Sequence, residues 1–93
     1  MKKLGWVYIG ISNNLYKIGV TTDIFKRNFQ YTTENPFGFK LLYYTRVYPI
    51  YECEKEILRS IITPPEKRKE WFILSNKDID NIKYIIRKFM INY

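Results

Sequence analysis

The sequence contains no histidine, which removes the commonest general base and every histidine-containing metal site. Any chemistry must therefore use Tyr, Lys, Asp or Glu. One carboxylate is out of place. Ile50, Cys53, Ile57, Leu58 and Ile61 recur as the apolar stripe of a helix, and Glu54 falls among them. Glu52 and Glu56 lie about 160° away around the same helix, on the solvent side. A carboxylate inside an apolar stripe loses hydration unless a cation, a metal ion or a hydrogen-bond network compensates. Two readings of Glu54 stand side by side: a structural bridge to Arg27, Arg46 or Lys17 at the core margin, and a metal ligand in a functional site.

The elements that must position such residues follow from periodicity. Residues 6–11 and 15–20 are two β-rich runs around Asn13-Asn14 and predict a hairpin. Alternation puts Val7, Ile9 and Ile11 on one side of the first strand and Ile18 and Val20 on one side of the second. If those sets line the core, Tyr8 and Lys17 share the opposite face. Thr21-Thr22-Asp23 offers N-cap oxygens for a short helix from Ile24 to about Tyr31. On it, Phe25 and Phe29 fall on one side and Arg27 and Tyr31 on nearly the other, so the phenylalanines are expected to anchor the helix. Residues 34–38 read as a turn and Lys40 to Val47 as a third strand. A helix from about Pro49 to Ile62 ends at Pro64-Pro65. Ser75 and Asp78 form a capping-box pattern before a stripe of Ile79, Ile82, Ile85, Ile86, Phe89 and Met90, which is expected to dock on the sheet. The whole predicts one α+β domain over residues 1–93, a three-stranded antiparallel sheet flanked by about three helices.

Ninety-three residues lie near the lower end of independent folding, and heavy use of aromatics (9 Tyr, 6 Phe, 2 Trp) helps so short a chain close a core. The apolar runs are too short to span a membrane, residues 1–8 lack the features of a signal peptide, and the single Cys53 allows no intramolecular disulfide. An intracellular compartment is expected. The net charge of +7, from 16 basic against 9 acidic residues, makes nucleic acid the leading partner. Each residue also has a plainer reading. Tyr8 can be a strand aromatic, Lys17 a solvated lysine, Trp71 and Phe72 core. Arg27 can be half of an exposed pair with Asp23, worth about 0.3 kcal/mol.

Val7-Tyr8-Ile9 and Tyr16-Lys17-Ile18-Gly19-Val20-Thr21 resemble the two signature elements of the GIY-YIG nuclease superfamily, in the form used by short phage, viral and microbial members. Arg27 on the following helix, Asn35-Pro36 before the third strand, Glu54 in the next long helix and Glu70-Trp71-Phe72 before the last helix resemble the family in order and spacing. The resemblance spans roughly residues 5–90. It departs from the family at Leu58, where a histidine is frequent, and at Lys69, where Gly is common. The resemblance implies phosphodiester hydrolysis with one divalent ion, Mg2+ or Mn2+, held by Glu54. It implies that Arg27 contacts the scissile phosphate, that Tyr8 positions or deprotonates the attacking water, and that Lys17 acts as base or phosphate holder. Tyr31 stands where many members carry a site histidine or tyrosine. The expected activity is a DNA endonuclease of low intrinsic sequence specificity, with oligomerisation, a partner or substrate structure supplying selectivity. The competing expectations are a non-cleaving nucleic-acid-binding module of the same fold and a basic protein-interaction or inhibitor module.

Overall fold

The computed structural model describes residues 2–35, 38–61 and 71–91. Strands β1 (Gly5–Ser12) and β2 (Leu15–Thr21) form the expected hairpin. Asn13 and Asn14 take φ of 49° and 67° at its tip. Both central residues of such a tight turn need the left-handed region, and asparagine adopts it more readily than most non-glycine residues. Helix α1 (Ile24–Glu34) begins at Asp23, whose side chain accepts from the Lys26 N–H at 3.0 Å. Strand β3 (Lys40–Val47) and helix α2 (Ile50–Ser60) follow. A fourth strand, β4 (Trp71–Phe72), precedes helix α3 (Asn76–Arg87). The Ser75–Asp78 capping box is formed in both directions.

The sheet has four antiparallel strands in the order β3-β1-β2-β4, not three. β4 pairs with Tyr16 and Lys17; two residues carry too little periodicity to be read as a strand from sequence. Pro36, Phe37, Ile62, Pro64-Pro65, Lys69 and Glu70, used in the sequence reading, lie outside the described residues.

One face of the sheet meets α2 and α3. Val7, Ile9, Ile18 and Val20 pack there with Ile50, Cys53, Ile57, Ile82 and Ile86. Fully burying each such aliphatic side chain contributes roughly 1.5–3 kcal/mol, so this layer holds the fold. Ile79, Phe89 and Met90 pack against it, as their spacing predicts. After α3 the chain returns to β3, where the Ile91 N–H donates to the Arg46 carbonyl at 3.1 Å and the Tyr48 N–H to the Phe89 carbonyl at 3.0 Å. No described helix is long and apolar enough to cross a membrane.

Helix α1 occupies the other face, and its orientation reverses the expectation. Phe25 and Phe29 are 81 % and 70 % exposed, whereas Ile24 is buried. The two sides of the helix are divided as the periodicity requires, but the inward side is the one with Ile24, Arg27 and Tyr31. Polar groups win here because Tyr8, beneath the helix, offers hydrogen bonds and Phe39 and Trp71 offer rings.

Candidate active site

The face under α1 is prepared by two glycines. In the register Tyr8 pairs with Gly19 and Gly10 with Lys17, so all four point the same way. A Cβ on Gly19 would lie 2.4 Å from the Tyr8 hydroxyl oxygen, and one on Gly10 would meet the Phe39 ring. Glycine inside a strand marks such close approach: Gly19 lets the Tyr8 ring lie flat across β2, and Gly10 seats Phe39.

Tyr8 is wholly buried. Its hydroxyl donates to the Tyr31 oxygen at 3.1 Å and accepts from Arg27 Nη1 at 3.4 Å. Burial, then the hydrogen bond and charge of Tyr31, push the phenol well above its usual range against a smaller opposing effect of Arg27. Tyr8 is thus a neutral phenol at physiological pH, suited to orienting a group and unsuited to removing a proton from it. For Arg27, burial works against the charge, but hydrogen bonding with Tyr31 and the influence of Tyr8 outweigh it, and its pKa is raised. The guanidinium is directed to Tyr8, while the Asp23 carboxylate is spent on the helix cap. The exposed Asp23–Arg27 pair of the plainer reading is replaced by a site contact.

Lys17 is buried under aromatic rings. Its ammonium nitrogen lies 5.9 Å from the centroid of Tyr31 and 6.0 Å from that of Trp71, within the range of cation–π attraction. Tyr31 packs on Phe39 at 4.9 Å and on Trp71 at 6.5 Å. Neither Phe39 nor Trp71 was singled out by sequence as a neighbour of the site. The signal was available for Trp71, because it alternates with the core residue Phe72 and therefore faces the other way.

Glu54 is half-buried. It lies about 65° around α2 from the centre of the Ile50–Cys53–Ile57 stripe, at the margin and not in the middle. Leu58, assigned to the stripe by pattern, is 43 % exposed. Burial raises the Glu54 pKa, and the positive charges of Lys17 and then Arg27 oppose that rise. A helix from the opposite face of the sheet thus delivers a carboxylate into the field of the two cations beside Tyr8. Glu52 is exposed, and Glu56 forms an ion pair with Lys88, so neither shares that field. Tyr8, Lys17, Arg27 and Tyr31 are joined by direct contacts, and Glu54 is linked to them through the charges of Lys17 and Arg27.

Beside Arg27 an open cleft of about 480 Å3 is bounded by Thr21, Thr22, Asp23, Lys26, Arg27 and Gln30. Its polar lining, with Lys26 and Arg27 against the single carboxylate of Asp23, suits an anion. Among the described residues no three of His, Cys, Asp or Glu come together. A single partly desolvated carboxylate fits a hard ion such as Mg2+, which keeps several waters and binds through one or two carboxylates plus substrate phosphate.

Compared with known proteins, residues 5–88 match the family model of the T5orf172 domain. No curated protein and no solved structure matches the chain.

Proposed function

The chain belongs to the T5orf172 domain family, and from that premise we propose that it is a metal-dependent endonuclease with a GIY-YIG-type site, hydrolysing phosphodiester bonds in DNA with little sequence preference of its own. The observation that carries this reading is the hydrogen bond from Arg27 to a buried Tyr8, with the Glu54 carboxyl under the influence of both Arg27 and Lys17. A pure structural bridge has no use for a cleft beside the arginine, whereas a phosphate does.

In this reading Arg27 binds the scissile phosphate through the cleft and offsets the charge that grows on its oxygens as water attacks phosphorus. Tyr8, held neutral, fixes the guanidinium and offers its hydroxyl as a hydrogen-bonding partner. Lys17 adds positive potential from beneath. Glu54 would hold the divalent ion, which when bound would polarise the phosphoryl group and stabilise the leaving oxygen. Tyr31 keeps solvent off Tyr8.

Nicking of supercoiled plasmid in magnesium is the test. Wild type converts it to open circles, Glu54→Ala abolishes conversion while salt-sensitive DNA binding persists, and Arg27→Ala loses most turnover. Cleavage by Glu54→Ala at the wild-type rate refutes the metal assignment. One observation favours a second reading, a binding module of the same fold without turnover: Tyr8 has no exposed surface. Binding of DNA by wild type with no nicking in magnesium or manganese would establish that reading instead.

A further inference from the structure

The face that carries Tyr8 continues toward β3 into an aromatic group that hydrolysis leaves unused. Trp6 lies two residues before Tyr8 on the same side of β1. In the β1–β3 register Tyr44 is opposite Tyr8 and Arg46 opposite Trp6. The Trp6 and Tyr44 rings are 5.9 Å apart and tilted by 55°. The Arg46 guanidinium carbon lies 5.2 Å from the centroid of the Trp6 ring. Tyr44 is 50 % exposed. Trp6 and Arg46 brace it from the side, and much of its ring is left open.

We propose that Tyr44, backed by Trp6 and Arg46, is a stacking surface for an unpaired nucleobase of the strand whose phosphate is bound at Arg27. The location rests on the endonuclease reading, whereas the binding itself needs no cleavage. Every base has a flat π face that stacks on an aromatic ring, and a neighbouring guanidinium offsets the adjoining phosphate. Directly opposed residues of antiparallel strands are about 4.5–5.5 Å apart. Tyr44 thus stands across β1 from the strand over which the Tyr8 ring reaches Arg27, and a base over it belongs to the same nucleic-acid strand as the phosphate at Arg27. Paired and stacked bases cannot present a face to this ring, so the surface selects single strands, flaps or branch points.

Charge and the sheet edge both favour this occupant over a second copy of the chain. Two copies would each bring a charge of +7 together, whereas nucleic acid is attracted. The edge groups that a second copy would use for strand addition are partly taken, since Ile91 and Phe89 bond to Arg46 and Tyr48 there.

The experiment is fluorescence anisotropy in EDTA, which removes cleavage, with labelled oligothymidylate and a duplex of equal length. Tyr44→Thr keeps a strand-favouring residue and removes the ring. It is expected to weaken oligothymidylate binding about tenfold and duplex binding by less than about twofold, while Tyr44→Phe retains wild-type binding of both. Wild-type tryptophan fluorescence is quenched more by oligothymidylate than by duplex, a readout that needs no variant. Equal losses on both nucleic acids, no loss on the single strand, or equal quenching by the two overturns the proposal. So does a wild-type dimer in sedimentation that Tyr44→Thr dissolves, because the face then joins copies of the chain. Plasmid nicking by wild type together with unaltered binding by Tyr44→Thr defeats this proposal alone. Single-strand-selective binding without nicking defeats the nuclease reading alone.

Discussion

Gly19→Ala is the smallest change that reaches the heart of the site. The added methyl would sit 2.4 Å from the Tyr8 hydroxyl oxygen, 2.7 Å from Cζ and 3.2 Å from Cε1. Tyr8 has no exposed surface into which to retreat, and its hydroxyl is tied to Tyr31 and Arg27. The ring must tilt and give up at least one of those bonds. Overpacking costs about 1–3 kcal/mol and a lost hydrogen bond about 1 kcal/mol, offset by about 0.5–1 kcal/mol from restricting the unfolded chain. The net is roughly 2 kcal/mol of destabilisation, a fall in Tm of about 8–16 °C for a domain of this size. Thermal melts followed by circular dichroism read it directly. Tyr8→Phe removes the worst overlap, so in a double-mutant cycle Gly19→Ala should cost about 1 kcal/mol less in that background. A loss below about 2 °C in wild type, or strict additivity with Tyr8→Phe, would refute the placement of the ring over Gly19.

Other consequences are equally direct. The folded Glu54 carboxyl holds its proton more tightly than the ordinary value of 4.5 because of burial. Ionisation therefore disfavours the folded state: the deficit is absent below 4.5 and fully present above the raised folded value. Glu54→Gln should raise Tm at neutral pH and leave it nearly unchanged below 4.5; a variant destabilised at neutral pH would mean that Glu54 is a favourable structural bridge. Phe25→Ser and Phe29→Ser, at the two exposed phenylalanines of α1, should each shift stability by no more than about 0.5 kcal/mol in urea melts. Losses of about 3 kcal/mol or more would restore the anchoring role that periodicity suggested.

Pairing, alternation and capping were legible because they are local. The hairpin, the shared side of Tyr8 and Lys17, the Ser75–Asp78 box and the α3 stripe each follow from a few neighbouring residues. The orientation of α1 was not legible, since two opposed faces of one helix satisfy the same period and only the partner beneath decides between them. Burial of Tyr8 and Lys17 was missed for a related reason: alternation assigns a face but not what covers it. The short β4 escaped because two residues have no period, and with it the ring of Trp71 over Lys17. The glycines were the unused clue. Gly10 and Gly19 stand inside strands where a side chain would ordinarily be preferred, and each marks a ring lying against the backbone. Glu54 was found by its anomaly, a charge in an apolar pattern, although its true position is the edge of the stripe.

Glu54 is proposed to hold a divalent ion in the charge field of Arg27 and Lys17. Anomalous diffraction from crystals soaked in manganese measures that placement directly. A single strong peak within coordination distance of the Glu54 carboxylate, lost in Glu54→Gln crystals, is the predicted result. A peak that persists in that variant, or ordered manganese only at other carboxylates, would contradict it.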